Sequence, residues 1–145
     1  MENPGSGAAA LMRFIQAPPG WTVEDHADYV SMFPPTRDAE LRVTIVDLEK
    51  PRFTPANWLK GVVYTNRKLE RQIVATELGP FTGYTMETEP LDRRIRSWFL
   101  YAGQVPLVIT YISSVAVGTR DDETVAAALQ NISLADVEAI RGSRA

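Results

Sequence analysis

The 145-residue chain is 45% hydrophobic and 23% charged, with a net charge of −3, a balance that suits one globular domain able to bury roughly two thirds of its unfolded surface. It has no cysteine, which excludes disulfides, zinc–thiolate sites, iron–sulfur clusters and thiol nucleophiles. The acidic balance argues against nucleic acid as a partner, since that binding draws its energy from neutralising phosphates, and no run approaches the eighteen or so apolar residues that span a bilayer.

Residues 1–12 lack the charged start and cleavage context of a secretory signal and are expected to form a flexible, cytoplasmic leader. A single domain over residues 13–134 and a tail over 135–145 are expected to follow. Arg13 to Ile15 is assigned a small edge strand. Pro18, Pro19 and Gly20 turn the chain into a strand at Trp21 to Val23, and the polar run Glu24 to Asp28 reads as a hairpin turn into Tyr29 to Phe33, stopped by Pro34 and Pro35. Leu41, Val43 and Ile45 alternate with Arg42, Thr44 and Val46, which predicts a strand over Leu41 to Leu48 with one face buried.

Thr54 offers an N-cap hydroxyl and Pro55 suits the first helical position, predicting a helix from Pro55 to about Arg67. Its apolar stripe is Trp58, Leu59, Val62 and Val63. Gly61 weakens that helix while permitting close backbone approach. Four runs then form a meander, Arg71 to Leu78, Phe81 to Glu89, Arg93 to Ala102 and Val105 to Ser113, punctuated at Gly79-Pro80, Pro90-Leu91-Asp92 and Gly103-Gln104. The last run is apolar on both faces and is expected at the sheet centre. Asp121 is placed to cap a second helix with Val125, Ala128, Leu129 and Ile132 on one face, and Ser133 to cap a short terminal turn. The predicted class is therefore α+β, an antiparallel sheet of about six strands carrying two amphipathic helices.

No motif for covalent chemistry emerges. His26, the one histidine, lies in Glu24-Asp25-His26-Ala27-Asp28; these donors could bind a metal, but a solvated hairpin explains them far more simply. No Gly-x-Ser-x-Gly elbow would present a serine to that histidine, and Gly61, Gly79 and Gly83 are too dispersed for a phosphate loop. Glu77, Glu87, Glu89 and Asp92 fall near strand ends, where they either pair for acid–base work or are simply solvated. Arg67, Lys68 and Arg71 could face Arg93, Arg94 and Arg96 to receive an acidic partner, or pair across strands with nearby glutamates. No catalytic residue, metal ligand or cofactor is therefore assigned.

The candidate interface is Arg94, Arg96, Trp98 and Leu100, which alternation directs away from Ile95, Ser97, Phe99 and Tyr101. If helices cover one side of the sheet alone, an aromatic flanked by arginine is left exposed there, with the composition of a binding hot spot. The other reading buries both aromatics beneath loops and the first hairpin.

The order hairpin, strand, helix, four-strand meander and helix, with Pro18-Pro19-Gly20-Trp21 at the start and Arg96-Ser97-Trp98-Phe99-Leu100 followed by Leu107-Val108-Ile109-Thr110-Tyr111, resembles the PsbP-like family, which includes DcrB-like domains, over about Arg13 to Leu134. Members of that grouping serve as photosystem accessory subunits, a nuclear-import factor that binds a small GTPase, and chaperones for type VI secretion effectors. The resemblance implies protein binding without covalent chemistry, although the effector-chaperone branch's own binding residues have no counterpart here. The expectation is a non-enzymatic protein-binding module of bacterial character, adaptor, chaperone or immunity-type, with a protein partner or self-association. The alternative is a small-molecule or lipid carrier whose cavity is lined by Phe81, Tyr84, Phe99 and Tyr111.

Overall fold

A computed structural model describes residues 17–26, 29–46, 54–103 and 105–130. Seven strands form one antiparallel sheet: β1 (Thr22–Asp25), β2 (Tyr29–Phe33), β3 (Ala39–Ile45), β4 (Ile73–Leu78), β5 (Phe81–Thr88), β6 (Arg93–Ala102) and β7 (Val105–Ser114). Their order across the sheet is β1-β2-β3-β7-β6-β5-β4. The sequence predicts about six strands, and seven form among the described residues. The suggested strand at Arg13 to Ile15 lies outside the described residues, as do the end of the predicted third strand at Asp47 and Leu48 and everything past Gln130.

Two meanders, β1 to β3 and β4 to β7, are joined where β3 pairs with β7, with Ala39 opposite Ser113 and Ile45 opposite Leu107. The apolar run Val105 to Ser114 is thus the central strand, as its two-sided hydrophobicity predicts. Between the meanders the chain passes through helix α1 (Pro55–Thr65) and a 3-10 segment, Arg67–Gln72. The hydroxyl oxygen of Thr54 accepts the Asn57 N–H at 3.2 Å, with Pro55 in the first turn, so the expected cap forms. The helix stops two residues short of Arg67, and β4 begins at Ile73 instead of Arg71 because the 3-10 turns intervene.

Helix α2 (Asp122–Leu129) closes the described chain. Asp121 occupies its N-cap and its backbone carbonyl accepts the Val125 N–H at 2.8 Å, but its side chain makes no cap hydrogen bond. That carboxylate is engaged elsewhere, as described below.

The core lies on one face of the sheet. Strand register lines up Val30, Val43, Ile109, Trp98 and Thr85 across five strands, and beside them Met32, Leu41 and Tyr111. A third row sets Leu107, Leu100 and Gly83 side by side. Val125 and Leu129 of α2 pack into this cluster. Opposite, on the face carrying Phe99, lies α1: the Trp58 ring sits 6.4 Å from that of Phe99, tilted by 55°. Among the described residues each face therefore carries one helix, and neither the one-sided arrangement nor its consequence for Trp98 holds.

The close backbone approach expected at Gly61 occurs instead at Gly83. At Gly61 an added Cβ would meet nothing within 4 Å, so the helix gains no close approach from it. At Gly83 a Cβ would fall 1.9 Å from the Phe99 carbonyl oxygen and 2.9 Å from the Leu100 Cα. There the missing side chain is what lets β5 and β6 pair.

Candidate interaction surface

The four residues of the predicted interface do share a face, since their cross-strand partners in β7 are Ser113, Tyr111, Ile109 and Leu107. That face is covered by α2. Trp98 is 5% exposed and Leu100 fully buried, which corrects the expectation of a hot spot open to solvent. Arg96 stacks over Trp98, its guanidinium 4.8 Å from the ring centroid. Arg94, whose side chain is 11% exposed, donates to both carboxylate oxygens of Asp122 at 2.8 and 3.0 Å, to the Gly118 carbonyl at 2.9 Å and to Glu87. It clamps the start of α2 to the sheet.

A second clamp lies beside the first. The Tyr111 hydroxyl donates to Asp121 at 2.6 Å, and Arg120 bonds Asp121 while its Nη groups reach Asp38 at 2.7 and 2.9 Å. Arg120 holds the carboxyl of Asp38 far below the usual range, helped by the Thr36 hydroxyl. The Asp121 carboxyl is also held down, by Arg120 first and by Tyr111, against the opposing effect of burial. Burial, and then Asp121, push the Tyr111 phenol up. These charged groups saturate one another, as a docking device for a short helix requires.

Other predicted groups are dispersed. Glu77 pairs with Thr82, which puts it on the α1 face, whereas Glu87 pairs with Arg96 on the α2 face. They form no acid–base pair. Of the two basic clusters, Arg94 makes the cross-strand pair with Glu87 and Arg67 folds back over the Tyr64 ring at 4.2 Å. Phe81 and Tyr111 lie on one face, Tyr84 and Phe99 on the other, so the cavity imagined for a carrier does not form from those four. The cleft beneath α2, between Thr76, Leu78, Trp98 and Leu129, measures about 140 Å³, below the roughly 300 Å³ at which small-molecule pockets begin. No group of three or more metal-ligating side chains gathers among the described residues, and none of the described helices is long and apolar enough to cross a membrane.

A further patch lies on the α1 side of β2 and β3. Tyr29, Ser31 and Phe33 alternate with the core residues Val30 and Met32, and Glu40 and Arg42 alternate with Leu41 and Val43. His26 stacks on Tyr29 with ring centroids 4.4 Å apart and planes 19° from parallel. Arg42 covers the Tyr29 ring at 4.3 Å and gives its Nε to Glu40 at 2.9 Å, and Ser31 donates to the same carboxylate at 2.5 Å. Burial pushes the Glu40 carboxyl up, but Ser31 and Arg42 outweigh it and keep it low. Next to this stack, Arg37 lies 4.5 Å over Phe33 and binds Glu24 at 2.8 Å. Arg37 has a φ of 53°, a left-handed backbone that disfavours a side chain. The signal was legible in principle, since aromatic and charged residues alternate there with the core positions.

No protein-family model matches the chain, and no curated protein is significantly similar to it in sequence. Among solved structures, a protein from Bacteroides thetaiotaomicron, at 1.50 Å resolution, is similar with a TM-score of 0.53 at 10% identity. The alignment covers 74% of this chain and 40% of the other. At that identity the likeness is one of fold alone.

Proposed function

We propose that the chain is a protein-binding module of adaptor, chaperone or immunity type, working without covalent chemistry, and that its partner docks on the β1–β3 half of the α1 face. The observation that carries this reading is the pair of ordered stacks, His26–Tyr29–Arg42 and Phe33–Arg37. Tyrosine and arginine are enriched in binding hot spots, tyrosine for its broad planar area with two rotatable bonds and arginine for its planar guanidinium with several donors. Here their geometry is fixed before a partner arrives, which lowers the ordering cost of association. Arg42 spends its Nε on Glu40, while its two Nη groups have no partner among the described residues, leaving donors for carbonyl or carboxylate groups on a bound protein.

The backbone at Arg37 supports the same reading. Holding a non-glycine residue left-handed costs about 1 kcal/mol or more, and such outliers gather where function sets the geometry. The order of elements, two meanders linked through α1 and closed by α2, also supports kinship with PsbP-like domains and their binding roles. The test is quantitative capture of interacting proteins by the intact chain and by a Tyr29→Ala/Arg42→Ala variant whose circular dichroism matches it. A specific partner should be bound by the former and lose roughly tenfold or more in affinity for the latter, the scale of one lost hot spot. Equal binding by both removes the patch as the docking site.

A further inference from the structure

The two ends of the sheet are unlike. β1 is four residues long and two of them, Glu24 and Asp25, are acidic, which guards an edge against adding another strand. β4 is six residues long, Ile73-Val74-Ala75-Thr76-Glu77-Leu78, with β-branched residues at three positions, no proline, no lysine and a single charge. Among the described residues it pairs with β5 alone. Val74 is 57% exposed, and Ala75 and Glu77 are exposed beside it. A long, nearly uncharged edge presents a row of unpaired backbone groups suited to β-augmentation.

We infer that β4 is a self-association edge, on which a second copy of this chain adds its own β4 antiparallel about a two-fold axis through Thr76. The register follows from the side chains. A two-fold perpendicular to the sheet sets residues of the same face opposite each other, so the axis must pass through a single residue. An axis at Glu77 would put two like charges directly opposite, which is destabilising, and would bring Pro80, with no N–H, into the ladder. An axis at Ala75 sets Ile73 against Glu77. An axis at Thr76 sets Val74 against Leu78 on the α2 face, Thr76 against its own copy, and Ala75 against Glu77 on the other face. On the α2 face apolar groups then meet apolar groups, the bulky Ile73 stays clear of Glu77, and the two Glu77 carboxylates lie on a diagonal instead of face to face.

The inference is independent of the proposed partner patch, because β1 to β3 lie at the far end of the sheet from β4. The dimer would be one continuous sheet with a patch at each end.

Two measurements decide it. In sedimentation over a wide concentration range the intact chain should move from its 16.1 kDa mass toward twice that value. Val74→Lys should weaken association about tenfold or more, since both symmetry-related Val74–Leu78 pairs are lost, while Thr22→Lys on the opposite edge leaves it unchanged. The absence of native cysteine permits a second test that does not depend on disrupting anything. Thr76→Cys places two thiols opposite each other, within the Cα separation a disulfide spans, and mild oxidation should give a covalent dimer. Ala75→Cys places them on a diagonal beyond that reach and should remain uncrosslinked. A chain that sediments as a monomer throughout, an association insensitive to Val74→Lys, or crosslinking through position 75 in place of 76 overturns the proposal.

Discussion

Replacing Gly83 with alanine tests the packing of the sheet at one atom. The added Cβ would lie 1.9 Å from the Phe99 oxygen and 2.9 Å from both the Phe99 carbonyl carbon and the Leu100 Cα, where ordinary contact needs about 3.4 Å or more. All three atoms belong to the backbone of the paired strand, so no rotamer change relieves the clash. β5 and β6 must separate there, and Leu100, fully buried, must move with its strand. Overpacking against side chains costs about 1–3 kcal/mol, and with main chain as the obstacle a loss of about 3 kcal/mol or more is expected. In a domain of this size each kcal/mol lowers Tm by roughly 4 °C, so Gly83→Ala should melt at least about 10 °C lower. Gly61→Ala is the matched control: the same added methyl meets nothing and removes backbone freedom inside a helix, for a gain of about 0.5–1 kcal/mol. Urea unfolding with an unchanged m-value measures both. A cost below about 1 kcal/mol at Gly83, or a loss at Gly61, would refute the account of the two sites.

Trp98→Ala should behave as a core truncation, costing about 3–5 kcal/mol, because the ring is 5% exposed beneath α2. Thermal unfolding decides, and a variant as stable as the parent would return Trp98 to the surface. Acidification should release α2. The Asp38 and Asp121 carboxyls have folded pKa values below the ordinary 3.8, so the stability they contribute is present above about pH 4 and is lost as pH falls through their lowered values. Tm should therefore drop as pH falls below about 4 and keep falling toward the lowered values, and Asp121→Asn should flatten that slope while lowering Tm at neutral pH. A slope unchanged in the variant would show that this clamp does not carry the effect.

Local chemistry made much of the fold legible. Proline and glycine punctuate the second meander so clearly that Arg93 to Ala102 was bounded correctly at both ends, and Thr54-Pro55 marked the start of α1. The start of β4 is less accessible, because Ile73 to Leu78 is preceded by charged residues that continue as 3-10 turns. The assignment of helices to faces was beyond reach. Alternation separates Trp98 from Phe99, but which helix lies over which depends on pairings far apart in the chain, such as Arg94 with Asp122 and Arg120 with Asp38. Asp121 looked like a cap by sequence position, yet Tyr111 and Arg120 compete for its carboxylate and win. The patch at Tyr29 and Arg42 is hidden in the sequence because Glu24 to Asp28 has the composition of an ordinary polar turn, and only the fold stacks His26 over the neighbouring strand.

The join between β3 and β7 sets the timetable of assembly. The first three strands leave the ribosome early but have no finished neighbour, because the strand that completes them is the last of the seven to be synthesised. Until then Leu41 and Val43 lack the residues they face, Tyr111 and Ile109, and the N-terminal meander is a three-stranded fragment with an apolar side and an open border. Closure of this long-range pairing is the step expected to govern the folding rate, and a nascent chain stalled before Val105 is the form most exposed to aggregation and to chaperones.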